Sequence, residues 1–285
     1  MTVGVLVMAY GSPASADDVE PYYTHIRRGR PPTEEQLADL RRRYEAVGGI
    51  SSLRARTDAQ AQVLQDELGP DYRVALGMKH ASPFIEDGVA ALQDCERIVG
   101  LVLAPHYSDL SVGEYIERAR EASNVPFAAV TSWAIEPAYV EFLAAAVRDA
   151  LSSMPADTTV RFTAHSLPAR IVDAGDPYPG EIRATADAVA ALAGLTSYDT
   201  GWQSAGRTPE PWLGPDVLEI IATSDTALLV CPCGFVSDHL EVAYDLDIEA
   251  AKAASERGIA FARTRVLNDD RTVLAALADR VRACG

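Results

Sequence analysis

The apolar residues of this chain fall into two alternating kinds of run. Short unbroken stretches at 3–9, 73–77, 98–104, 127–130, 159–164, 198–202, 227–231 and 259–263 read as strands. Between them, 34–47, 58–68, 83–92, 137–151, 181–192 and 269–283 carry apolar positions three or four apart, the spacing of a helix with one face buried. Strand–helix alternation of this kind builds βαβ units. The pattern predicts an α/β protein whose parallel sheets are flanked by helices. At 285 residues the chain has room for two domains or one bilobal unit.

A long-range echo points to two copies of one unit. Residues 5–13 (VLVMAYGSP) resemble 160–168 (VRFTAHSLP), with Tyr10 and His165 in equivalent places. Pro105 precedes Glu114 by nine residues, as Pro232 precedes Glu241. The expected division is a first lobe at 1–153 and a second at 154–285, with the last helix free to pack on either. Both sheets then present their carboxyl ends to one cleft, where open α/β sheets place ligands. Tyr10 faces it from one side, and His165 with Glu241 from the other.

The stretch after the strand at 227–231 carries the densest chemistry. Pro232 and Gly234 end the strand, and a helical pattern starts near Asp238. Glu241, Asp245 and Glu249, four apart, form one stripe of carboxylates on a helix, with His239 at its start. The plain alternative is a solvated acidic face in a chain of net charge −16. That charge excludes a general nucleic-acid or anionic-membrane binder. No apolar run approaches the roughly 20 residues that span a bilayer, and 3–8 is too short for a signal peptide, so a cytoplasmic protein is expected. Cys231 and Cys233 close a strand and read as buried packing residues. Arg27, Arg28, Arg30, Arg41, Arg42 and Arg43 crowd together in an otherwise acidic chain. Glu34, Glu35 and Asp39 can pair with some of them, and a carboxylate-bearing ligand suits the remainder.

Several longer motifs are recognisable together: MAYGSP from Met8, YYTHIRRGR from Tyr22, RYEAVGGISS from Arg43, GMKH from Gly77, AHSLP from Ala164, GWQS from Gly201 and GFVSDHLEV from Gly234. In order and spacing the chain resembles the ferrochelatases over its whole length, in particular the soluble coproporphyrin ferrochelatases of Gram-positive bacteria. The resemblance implies two Rossmann-like lobes around a tetrapyrrole cleft and insertion of ferrous iron into coproporphyrin III, with release of two protons. It implies iron and proton roles for His165 and Glu241, and an axial contact from Tyr10 to the product iron. Propionates would be held by Arg27, Arg43, Tyr44, Ser51 and Tyr115. A peripheral hydrated-metal site, suited to Mg2+, would use Asp245 and Glu249 with Arg27 or Arg28. Only Cys284 lies near the C-terminus, so no iron–sulfur cluster is expected, and no cofactor beyond the ferrous substrate. Upstream and downstream haem-pathway enzymes are the expected protein partners.

The chemistry suits these residues. Ferrous iron is a borderline ion that accepts imidazole nitrogen and carboxylate oxygen. Two pyrrole N–H protons must leave beside it, and histidine and glutamate can accept and pass them. A protoporphyrin IX ferrochelatase and a cobalt-inserting chelatase remain rival enzymes, and a haem or iron carrier a rival of another class. Taken singly, His165 reads more readily as a satisfied core histidine and Tyr10 as a strand-end packing ring. His25 and His80 read as mostly structural, with a place at the border of the cleft open to His80 after Lys79, and Trp133, Trp202 and Trp212 read as packing.

Overall fold

The computed structural model describes residues 2–50, 52–206 and 208–284. Its strands form two four-stranded parallel sheets. The first contains β1 (Val3–Ala9), β2 (Tyr72–Met78), β3 (Ile98–Val102) and β4 (Phe127–Val130), in the order β2-β1-β3-β4. The second contains β5 (Thr159–His165), β6 (Tyr198–Gln203), β7 (Leu228–Cys231) and β8 (Phe261–Arg263), in the order β6-β5-β7-β8. The two orders are the same, and the echoing segments are the first strand of each sheet. Strands β3 and β7 are buried at every residue, which is why they are unbroken apolar runs. The edge strands β2, β4, β6 and β8 keep part-exposed positions.

In each sheet the chain runs from the first strand to one neighbour and then crosses to the other side. This creates a switch point between β1 and β3, and another between β5 and β7, with a crevice outside the carboxyl ends of the strands. Tyr10 follows β1, His165 ends β5, and the segments after β3 and β7 lead to Glu114 and Glu241.

Helices Val19–Ile26, Glu114–Ala122 and Val217–Thr223 lie outside the six segments of the sequence pattern, and two further elements differ from it. The helix expected at 58–68 begins at Leu53, because Arg54, Arg56 and Thr57 mask its apolar stripe. The stretch after Asp238 is not one regular helix: Leu240–Ala243 is α-helical, Asp245–Ala250 is π-helical, and Ala251–Arg257 is α-helical again. The Glu249 N–H donates to the Tyr244 carbonyl five residues back, at 2.9 Å. Wide turns of this kind gather at functional sites.

Each sheet's closing helix packs on the other half. Helix Pro137–Leu151 follows β4, yet lies against helix Tyr178–Ala193, where Arg148 donates to the Leu192 carbonyl at 3.1 Å. Its Tyr139 hydroxyl donates to the Cys233 carbonyl at 2.7 Å. Helix Arg271–Ala283 follows β8, yet lies against helix Leu53–Leu68, where Arg271 meets Glu67 at 2.7 Å. One apolar core therefore runs through both halves, from Val5 and Leu64 to Phe162 and Ile182.

Candidate active site

Glu241 lies in the first turn of helix Leu240–Ala243, between two imidazoles. His165 Nε2 is 3.7 Å from one of its carboxylate oxygens, and His239 Nε2 is 3.6 Å from the other. Each ring is oriented through its second nitrogen. His165 Nδ1–H donates to the Ser166 carbonyl at 2.5 Å, and His239 Nδ1–H to the Ser237 carbonyl at 2.9 Å. Both Nε2 atoms therefore present lone pairs when the rings are neutral, the orientation that carbonyl partners give to metal-binding histidines. Burial pushes the Glu241 carboxyl up, but His165, His239 and Arg43 outweigh it and hold the group below the usual carboxylate range. Among the described residues, no three His, Cys, Asp or Glu side chains close on one point as a cation cage.

The backbone beneath this group is pinned. Gln203, fully buried at the end of β6, donates to the Glu241 carbonyl at 3.0 Å and accepts from the Thr163 hydroxyl at 2.9 Å. The Tyr178 hydroxyl donates to the His165 carbonyl at 3.0 Å. Gly234 passes so close to β5 that an added Cβ would lie 2.4 Å from Ala164 Cβ.

One turn beyond Glu241, Asp245 is 8% exposed. It accepts from the Ser204 hydroxyl at 2.5 Å and from Arg43 at 3.4 Å. Burial pushes its carboxyl from 3.8 to about 6, with Glu241 and Glu249 adding to the rise, and Ser204 and Arg43 opposing it. The three carboxylates of the stripe thus share one field. Ser204 holds its position with φ of 59°, a left-handed backbone uncommon outside glycine.

Tyr10 is 41% exposed, the most open of these groups. The surrounding protein raises its hydroxyl pKa by desolvation, and the charges of Glu241 and Glu114 add to it. Tyr44 and Tyr115 are buried, and both also feel Glu241. Tyr10, Tyr44 and Tyr115 of the first half therefore all lie within electrostatic reach of Glu241 of the second.

The arginines are more occupied than their number suggests. Arg42 and Arg43 both pair with Asp39, and Arg43 also bridges to Asp245 and lies 4.6 Å from the centre of the Tyr244 ring. The guanidinium against Asp245 is that of Arg43. Arg28, with φ of 56°, and Arg27, which donates to the Arg30 carbonyl at 3.2 Å, occupy the turn after helix Val19–Ile26. Glu249 is half-buried, and Ser51 lies outside the described residues. Cys231 and Cys233 are free and fully buried, and burial pushes the Cys231 thiol up to about 12.

His239, Gln203 and Thr163 were not assigned roles from the sequence. His239 was visible at the start of the carboxylate stripe. The other two become legible only once strand register is known.

Two solved enzyme structures share this fold. The chain covers all of CbiX, a terminal enzyme of sirohaem biosynthesis in denitrifying bacteria, with TM-score 0.57 and 14% identity, and is itself covered completely. It covers 95% of the sirohydrochlorin chelatase SirB from Bacillus subtilis in complex with cobalt, again over its own full length, with TM-score 0.59 and 12% identity. Sequence relatives are much nearer. A coproporphyrin III ferrochelatase of Halalkalibacterium halodurans is 45% identical over 93% of this chain and 92% of its own. One from Geobacillus kaustophilus is 43% identical over 98% and 95%. The ferrochelatase family profile matches residues 2–284, and the chain belongs to the ferrochelatase family.

Proposed function

We propose that the chain inserts ferrous iron into coproporphyrin III, and that iron meets the macrocycle at the His165–Glu241–His239 wall. The near full-length likeness to coproporphyrin III ferrochelatases supports the substrate. Glu241 between two oriented imidazoles is the observation that carries the mechanism.

Porphyrin and Fe2+ give the iron porphyrin and two protons. Glu241, ionised and flanked by Nε2 lone pairs, accepts the two pyrrole N–H protons one after the other as iron enters the ring, giving up the first before it takes the second. Asp245, one turn further, passes each of them towards solvent. Its elevated pKa makes it a better proton acceptor than an ordinary aspartate. Tyr10 meets the opposite face of the macrocycle and supplies the axial oxygen to the product iron. A planar ring hides its nitrogen lone pairs, so the cleft holds it bent, at a strain of roughly 1–5 kcal/mol offset by binding elsewhere on the substrate. Propionates supply that binding through Arg27, Arg43, Tyr44, Ser51 and Tyr115, with Arg43 exchanging Asp245 for a propionate. Asp245 and Glu249 with Arg28 are read as a peripheral Mg2+ position. The lobes are read as 1–153 and 154–285, with their closing helices exchanged. Transient contact with neighbouring haem-pathway enzymes in the cytoplasm completes the reading. Among the described residues no helix is long and apolar enough to cross a membrane.

The test is anaerobic incubation with Fe2+ and either coproporphyrin III or protoporphyrin IX, following loss of free-base absorption. Faster metalation of coproporphyrin III is expected. Glu241→Gln should lower turnover about 100-fold or more, the scale of a lost general base, with porphyrin affinity nearly retained. Unchanged turnover in this variant rules out the proton role.

A further inference from the structure

Strand register allows the two halves to be matched residue by residue. β1 pairs with β2 so that Ala9 faces Met78, and β5 pairs with β6 so that His165 faces Gln203. Tyr10, one past Ala9, holds the place of His165. Lys79, one past Met78, therefore holds the place of Gln203. Glu114 follows Pro105 by nine residues, as Glu241 follows Pro232. The first half-site is Tyr10, Lys79 and Glu114, and the second is His165, Gln203 and Glu241.

The two half-sites differ in charge. Gln203 is neutral and binds the backbone oxygen of Glu241, leaving that carboxylate to the imidazoles. Lys79 instead pairs directly with the Glu114 carboxylate, and its ammonium lies 5.1 Å from the centre of the Tyr115 ring. Glu114 is tied to the Tyr10 end of the first sheet through Lys79, whose backbone N–H donates to the Ala9 carbonyl at 2.8 Å while the next residue, His80, donates to the Tyr10 carbonyl at 3.0 Å and sets its ring 4.6 Å from that of Tyr10. Without Lys79, a dication in the cleft would meet Glu114 on one side as well as the imidazole-flanked Glu241 on the other.

We propose that Lys79 is a specificity-determining residue: its ammonium occupies the cation position of the first half-site, silences Glu114, and leaves the His165–Glu241 wall as the place where a metal ion binds. This rests on reading that wall as the iron site. A divalent ion reaching Glu114 has to displace a tethered cation already in ion-pair contact, which removes most of its Coulombic gain. Lys79 acts through Glu114 and touches no reacting atom in this account, so it is a positioning residue.

The experiment is Co2+ binding to the porphyrin-free, full-length chain by equilibrium dialysis. Lys79→Gln, which installs the second half's residue, is expected to bind one more Co2+ per chain than the wild type. Lys79→Arg, which keeps a cation, and the double variant Lys79→Gln/Glu114→Gln are expected to bind as the wild type does. Lys79→Met keeps the aliphatic stem over Tyr115, and should show the same gain if Lys79→Gln does not fold. Equal stoichiometry in wild type, Lys79→Gln and Lys79→Met overturns the proposal. So does a gain that persists in the double variant. Glu241→Gln probes the iron wall separately: if it binds as much Co2+ as the wild type, the wall reading fails, whereas the Lys79 proposal is judged by the difference between Lys79 variants and wild type.

Discussion

Asp245 shows how one side chain can trade stability for chemistry. Its carboxyl is pushed from 3.8 to about 6, so between those values the folded chain holds a proton that the unfolded chain has lost. Stability conferred by the protonated form is therefore present at low pH and declines as pH rises through that window. The span corresponds to about 3 kcal/mol at most. Relative to Asp245→Asn, the wild type should lose unfolding free energy between about pH 4 and pH 6.5 and then level off, as measured by denaturant titration; a flat difference would contradict the elevated carboxyl. At this scale the positions of Tyr10, His165 and Glu241, each at a strand end or helix start, were legible. His239 was harder to assign. Two residues from Glu241 on a regular helix it would point elsewhere, but its backbone is extended, with φ of −150° and ψ of −176°, and this returns its ring to the carboxylate. Arg43 carries no local sign of its partner, since Asp245 is 202 positions away.

At the scale of elements, the site depends on how closely the segment after β7 is laid against β5. Gly234 makes that approach possible, with its N–H donating to the Thr163 carbonyl at 3.0 Å. Gly234→Ala cannot be accommodated without moving backbone, because the atoms it would strike are Ala164 Cβ and Cα. We expect a loss of about 2 kcal/mol or more in thermal or chemical unfolding, with turnover reduced because His239 and Glu241 lie on the displaced segment. Native-like stability and turnover would show that the two strands have slack. Strand positions were readable to within a few residues, since burial on both faces forces apolar runs. The π-helical turn was not. Its i to i+5 bonding coincides with Asp245 contacting Ser204 and Arg43, contacts that no periodicity encodes.

At the scale of the whole molecule, the repeated strand order was foreshadowed by the echo of 5–13 in 160–168, whereas the crossing of the last helix was left open and that of helix Pro137–Leu151 was not foreseen. Amphipathic spacing in 137–151 and 269–283 fixes which face of each helix is buried, and is silent about which sheet it covers. That exchange makes the chain resemble two subunits trading arms, joined by the short tether between Leu151 and Thr159. Covalent continuity there should be dispensable. Fragments 1–153 and 154–285 produced together are expected to associate as a heterodimer that metalates porphyrin, while either one alone exposes the seat of its missing helix and aggregates. Size-exclusion chromatography and iron insertion by the mixed fragments would reveal it, and two separately monomeric, well-folded halves would refute it.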